Sequence, residues 1–519
     1  MLFSEWTRQD KSLNIVSVGQ LLLNFCQRNR DQFRDEISDF DSRKAKSRLR
    51  AWVRCLFQDD RNSTELEPWV LLILDLLIFH DLNSVGRSLP KRTRKKLRKI
   101  AVENSNLFDE LSNLDVTDSA EVVKARAVAW ALDDALKEKF LTAFENLHKG
   151  KGVITLEPGD AFPSPLPRNA FPNPSFRITV SDDSTSHLPN LRIWPDDIGI
   201  RVEIAIRDPF TLALNELNNR TTNMNSFSVG CVGPVNFNEM SAYYAVPNNA
   251  SKHRYKSYEC PPEENGFNGM STFFGVKPTE RFLPRGTLVD LLKLAENENS
   301  SVCVFPELCL DKNRLQSLTR AIAGVDRPIL VVAGSMHQTG EDAGQKNRLH
   351  LFVKNELDVT NGNHDKVGTF SFKETRRDEK LQLYEDIQRS STIRIYLTDL
   401  GPCCFLICKD VLQQTVLDAL NAIGVRLLFV SALSPKTEEF LVHLSELAVR
   451  NNTVSVLSCS APSPETAAAL IGPDRQFTVN AVPYLKLLDA QPNSGGASFG
   501  LATFRVAKNS QPTVDLGFV

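Results

Sequence analysis

Cys408 closes a short apolar run, CCFLIC (403–408), and is followed at once by Lys409-Asp410 and a stretch with apolar residues at 412, 416, 420 and 423. That spacing predicts a helix with Gly424 as its C-terminal cap. A thiol at the mouth of a helix faces unpaired backbone N–H groups and the positive end of the helix dipole, and both favour thiolate over thiol. Asp410 is placed to cap the same first turn. Such a thiol offers nucleophilic attack; the plain alternative is a buried structural cysteine. Glu307 closes a second apolar strand, VCVFPEL (302–308), so its carboxylate emerges at a strand's C-terminal end, where α/β sheets place their ligands. Lys366 lies in GNHDKVGTFSF (362–372), a polar turn running into a strand. Taken alone, Glu307 reads as a surface carboxylate and Lys366 as an exposed lysine.

The elements that would position these residues begin at Ser226. Apolar runs of strand length, SVGCVGPVNF (228–237), SVCVFPE (301–307), PILVVAGS (328–335), RLHLFVK (348–354), TIRIYLTDLG (392–401), RLLFVSAL (426–433) and TVSVLSCSAP (453–462), recur through the chain. Amphipathic segments such as TLVDLLKLAENE (287–298), RLQSLTRAIAGV (314–325), VLQQTVLDALNAI (411–423) and EEFLVHLSELAVRN (438–451) separate them. Near-continuous apolar strands alternating with such helices imply an α/β sandwich with sheets buried on both faces.

Upstream the texture differs. Residues 1–150 are rich in Leu and charged residues, with apolar positions at three- and four-residue spacing in 17–33 and 121–147, so an all-helical domain is expected. Pro158, Pro163, Pro165, Pro167, Pro172 and Pro174 then mark an extended connector, 151–225, with short β-like pieces at 176–180 and 198–206.

The 519 residues carry 61 basic and 63 acidic side chains, a net charge of −2, which leaves no overall polycation for nucleic acid. The ten cysteines contain no CxxC pair, so neither a zinc knuckle nor a redox motif is indicated. The start, MLFSEWTRQDKS, lacks a signal-like apolar core, and the run WVLLILDLLIF (69–79) is broken by Asp75. The expectation is a cytoplasmic protein with reduced thiols and no membrane partner. One local patch stands out: Lys91, Arg92, Arg94, Lys95, Lys96, Arg98 and Lys99, introduced by Ser88 and Pro90. It reads either as an anion-binding surface for phosphate backbones or lipid headgroups, or as a solvated helix face balanced by Glu103, Asp109, Glu110 and Asp115.

In order and spacing, VFPEL around Glu307, HDKVGTF around Lys366 and FLICKD around Cys408 resemble the Glu-Lys-Cys triad of the carbon–nitrogen hydrolase superfamily, the nitrilases and amidases. VVAGS (331–335) with Asn347-Arg348, LLFVSALSP (427–435), LAVRNNTVSVLSCSAP (447–462) and GGASFG (495–500) resemble its other segments, so the resemblance covers roughly 226–519. It implies a nitrilase-like αββα sandwich in which Cys408 attacks, Glu307 moves the proton, and Lys366 and the backbone N–H of Lys409 face the developing oxyanion. It implies no metal or organic cofactor, an amide or nitrile as small-molecule substrate, and a homo-oligomer. Absence of a Cys-Trp-Glu sequence favours a linear amide. The resemblance also implies a second, structural glutamate; Glu385 fits its separation from the cysteine better than Glu374.

Three departures stand beside it: Lys409 after the nucleophile, Val411-Leu412-Gln413 where an Arg-Phe-Pro-like continuation is usual, and a long insertion at 238–286. An insertion of that length is expected over the active-site mouth, restricting substrates. A different class of reading keeps the sandwich as a binding or effector module, with the helical half recognising a protein or nucleic acid. The remaining histidines enter neither reading: His350 in a strand and His443 on a helix form no H-x-x-x-H pair, while His364 is either near the site or an ordinary loop residue.

Overall fold

The computed structural model describes residues 198–233 and 282–472 with short gaps, 498–505, and shorter stretches between 144 and 280. The basic run 91–99 and nearly all of the expected helical domain lie outside the described residues, as do 176–180 and most of the insertion. The chain divides into two compact units, one of residues 1–151, 156–166 and 176–197, the other of 152–155, 167–175 and 198–519. In the first unit, Ala161–Pro163 pairs antiparallel with Leu191–Ile193, and Phe144, Phe162 and Trp194 are buried.

The second unit holds Glu307, Lys366 and Cys408. The strands of its main sheet are β1 (Val153–Thr155), β2 (Arg201–Ala205), β3 (Ser226–Gly233), β4 (Val302–Val304), β5 (Ile329–Thr339), β6 (Gln345–Lys354), β7 (Val359–Asp365), β8 (Thr392–Thr398), β9 (Gly401–Ile407), β10 (Leu427–Leu433), β11 (Val454–Ser460), β12 (Ala468–Ile471) and β13 (Ser498–Arg505). They form one hydrogen-bonded path, β1-β2-β8-β9-β10-β11-β3-β4-β5-β6-β7, with β12 added to β11 and β13 to β3. The two halves of that path join at a single register pair, Ser460 with Val232. Elsewhere they stack: β5 contacts β10, and β7 at the far end of the path contacts β9. Hydrogen bonds cross between the halves, from Ser431 Oγ to Phe305 O (2.7 Å) and from Ser458 Oγ to Gly230 O (2.5 Å).

Among the described residues, five α-helices accompany these strands: α1 (Pro209–Arg220), α2 (Thr287–Asn297), α3 (Lys312–Ala323), α4 (Gln414–Ile423) and α5 (Thr437–Asn451). Helices α2 and α3 contact one half and α5 the other, while α4 packs on α5. The sequence explains the layering. Every residue of β9, β10 and β11 is buried, as strands covered on both faces require. Helix α2 buries Leu288, Leu291, Leu292 and Ala295, a single stripe, with the other positions polar or partly exposed. Each fully buried Leu, Ile or Phe is worth about 1.5–3 kcal/mol, so this apolar interior is a main source of stability for the unit that holds the site.

The sheet begins upstream of residue 226. Strand β2 pairs parallel with β8, β1 pairs antiparallel with β2, and α1 packs on β6, β7 and β8. The expected connector 151–225 therefore supplies two strands and a helix to the second unit. Alternation in β2, with Val202 and Ile204 buried and Arg201 exposed, is visible in the sequence. Its partner β8 lies far along the chain, and nothing local reveals that pairing. Among the described residues no helix is long and apolar enough to cross a membrane.

Candidate active site

Glu307 stands in the turn after β4. Its N–H donates to Ala432 O (3.3 Å), and the next residue, Leu308, sits at φ 55°, with its N–H on Ser335 Oγ (3.1 Å). Leu310 N–H donates to Ser335 O at 3.2 Å. Gly334, at φ 80°, allows this fit, because a Cβ there would collide with the Cys309 sulfur and the Pro306 carbonyl oxygen. The register shift between Val332 and Ser335 in the β5–β6 ladder falls at the same place. The motif VVAGS is thus the cradle of the Glu307 turn.

Lys366 follows β7. Its N–H donates to Asn347 O (2.9 Å) and its carbonyl accepts from Ser390 N–H (2.8 Å). Its ammonium reaches Glu307 Oε1 at 2.5 Å and Glu385 Oε2 at 2.8 Å, and all three side chains are buried. Glu385 ends the strand Glu379–Glu385. Glu385 is therefore the second glutamate at the lysine; Glu374 lies mid-strand in Ser371–Arg376, and its side chain is not among those described. Two residues unforeseen in these roles complete the cluster. Asn347 Nδ2 donates to both Glu307 Oε1 (2.9 Å) and Glu385 Oε1 (2.7 Å). His337 Nε2 lies 3.1 Å from Glu385 Oε1. His337 and Asn347 are register partners across β5 and β6, a neighbourhood that the sequence hides.

Cys408 follows β9 directly. It starts a 3-10 turn, Cys408–Leu412, with α4 beginning two residues later, so the expected uninterrupted helix is replaced by a short turn. Gly424 does end α4, in the left-handed conformation with its N–H on Leu420 O. Cys408 itself has φ 45°, a conformation that costs about 1–3 kcal/mol in a non-glycine residue and gathers at functional sites. Its thiol donates to Leu433 O at 3.4 Å. Lys409 is half-buried, and Asp410 is buried and accepts from Ile407 N–H at 3.0 Å.

Electrostatics separates the two glutamates. Burial pushes Glu307 up; Lys366 pulls it back in part and Glu385 adds to the rise, leaving it at about 7. Burial pushes Glu385 up as well, but Lys366 and His337 outweigh it and hold Glu385 down at about 2. Lys366 is held above its ordinary value because the two carboxylates and Cys408 overcome burial. The Cys408 thiol is held well above the ordinary range, first by burial and then by Glu307, with Lys366 and the Leu433 carbonyl opposing. This reverses the expectation of a thiolate: a short turn supplies little dipole, and desolvation beside a carboxylate dominates. The carboxylate interacts with the Cys408 thiol, and among the described residues Glu307 Oε2 takes no full hydrogen bond. A basic carboxylate, a neighbouring thiol and a fixed ammonium can together perform base-assisted nucleophilic attack. Among the described residues no group of three or more His, Cys, Asp or Glu is arranged to hold a metal ion.

No protein-family model matches the chain, and no curated protein matches it by sequence. Solved structures do match over part of its length. It is similar to the glutamine-dependent NAD+ synthetase of Acinetobacter baumannii, at 15% identity and a TM-score of 0.29. That overlap covers 45% of each chain, so this chain spans less than half of the synthetase. It is similar to Nit3 of Saccharomyces cerevisiae, a member of branch 10 of the nitrilase superfamily, at 12% identity and a TM-score of 0.30, covering 44% of this chain and 86% of that one. It is also similar to the Nesterenkonia AN1 amidase of the nitrilase superfamily, at 16% identity and a TM-score of 0.28, covering 45% and 87%.

Proposed function

We propose that this chain is a carbon–nitrogen hydrolase of the nitrilase superfamily that cleaves a linear, non-peptide amide through a thioester on Cys408. The observation that carries the reading is the buried cluster itself, a thiol beside a carboxylate held near neutrality and an ammonium fixed by two glutamates. Cys408 Sγ attacks the amide carbon while its proton passes to Glu307. Lys366 and the Lys409 N–H face the oxyanion, a kind of contact whose loss costs about 10²–10³ in rate. The C–N bond breaks as Glu307 returns the proton to the departing ammonia or amine. Water then attacks the thioester carbon, Glu307 takes its proton and passes it to the leaving thiol, and the carboxylic acid departs. Glu385, already ionised and held by Lys366, His337 and Asn347, stays out of the proton transfers and keeps the ammonium in place.

The test is mass spectrometry of the intact protein after incubation with a panel of short linear amides, with released ammonia measured alongside. The reading expects an acyl adduct on Cys408 and none in Cys408→Ala. One observation favours the binding-module reading: the thiol is buried and held protonated. That reading expects no adduct and slow, unselective alkylation across the thiols.

A further inference from the structure

Asp410 lies two residues past Cys408 and is wholly buried. Its carboxylate is saturated: Oδ1 accepts from Val367 N–H (2.8 Å) and Gly368 N–H (2.7 Å), and Oδ2 accepts from Ile407 N–H (3.0 Å) and lies 2.8 Å from His364 Nε2. A carboxylate only accepts, so the imidazole hydrogen on this side is on Nε2. His364 is buried as well, so the contact between the two side chains is shielded from water.

The donors come from the two segments that bear the chemistry. Val367 and Gly368 follow Lys366, Ile407 precedes Cys408, and His364 stands two residues before Lys366 on β7. The segments touch elsewhere as well, since a Cβ on Gly368 would lie 2.9 Å from the Lys409 carbonyl oxygen. The turn that is clamped is the one holding Cys408 at φ 45°, a conformation that persists only where its surroundings over-determine it.

We infer that the buried His364–Asp410 pair is a positioning device that locks the Lys366 segment onto the Cys408 turn, and so fixes the ammonium relative to the nucleophile. This rests on Cys408 being the nucleophile. The three backbone donors place the carboxylate, and His364 fixes its rotation. Neither residue touches the reacting atoms.

The test measures the rate at which 2-chloroacetamide alkylates Cys408, resolved by site with peptide mass spectrometry. In that reaction the Sγ–C bond forms as the C–Cl bond breaks, chloride leaves, and the thiol proton passes to Glu307. His364→Gln keeps an amide N–H long enough to reach Asp410 and should alkylate within about threefold of wild type, whereas His364→Asn is too short and should slow Cys408 by about tenfold or more. Both should melt within a few degrees of each other, so a stability effect alone does not produce the split. A wild-type rate in His364→Asn, or equal slowing in both variants, overturns the inference. Should His364→Asn not fold, Gly368→Ala probes the same contact from the other side: slowed Cys408 supports the clamp and a wild-type rate overturns it. Failure of the amidase reading is separate, because it appears as absence of an acyl adduct in wild type whatever the alkylation rates do.

Discussion

Two glutamates reach the same ammonium from two different sheets and end in opposite states. Glu307 comes from the turn after β4, with the Cys408 thiol beside it and Oε2 free of any full hydrogen bond among the described residues. Glu385 comes from the end of Glu379–Glu385, where His337, Asn347 and Lys366 all hold it. Burial pushes both in the same direction, so the neighbouring charges and hydrogen bonds decide the difference: Lys366 and His337 lower Glu385, whereas Glu385 itself raises Glu307. One is left at about 7, able to take and return a proton; the other, at about 2, is a fixed negative charge. A buried cluster with one ammonium supports one permanent anion, and the second carboxylate is left able to exchange a proton near neutral pH.

The sharpest way to break this contrast is to neutralise each glutamate in turn. Glu307→Gln keeps the shape but accepts no proton, and amide turnover should fall by about 10³ or more. Lys366→Met comes next. It leaves two buried carboxylates without their cation, so it should cost about 3–5 kcal/mol in denaturant unfolding as well as most of the turnover. It should also push the Cys408 thiol higher still, since Lys366 opposes the rise. Glu385→Gln should be milder in rate, about tenfold, and its signature is a moved pH profile. If Glu307 is the base, turnover requires its ionised form, and the rate should fall as pH drops through about 7. Glu385 raises Glu307, so its neutralisation should shift that acid limb to lower pH.

Smaller effects should appear in stability, with opposite signs. Glu385 is depressed from 4.5 to about 2, so its charge contributes stability that is fully present above about 4.5 and lost as pH falls towards 2. Glu385→Gln should therefore lower Tm at pH 7, and the gap from wild type should narrow in acid. Glu307 is raised from 4.5 to about 7, so its ionisation costs stability as pH rises through that window. Calorimetry at pH 7–8 should accordingly place Glu307→Gln above Glu385→Gln.

Taken alone, Cys408, Glu307 and Lys366 each have an ordinary reading; they stand out as a set because the order and spacing of their segments resemble a known triad, and Glu385 follows from the separation which that resemblance implies. Asn347 and His337 were not, because their role arises from the register of two antiparallel strands. The charge state of Cys408 was misread: strand-then-helix periodicity suggested a dipole, whereas the chain inserts a five-residue 3-10 turn and buries the sulfur. The start of the sheet was misplaced because β2 finds its partner β8 only in three dimensions.

The most direct test of the central claim is the pH dependence of Cys408 alkylation by 2-chloroacetamide in wild type and Glu307→Gln. If Glu307 is the base for a thiol that rests protonated, wild type should show a rate rising through about pH 7 to a plateau. In Glu307→Gln that inflection should vanish, leaving a slow reaction that climbs only in the alkaline range, where the buried thiol ionises by itself. Superimposable curves for the two proteins would contradict the account.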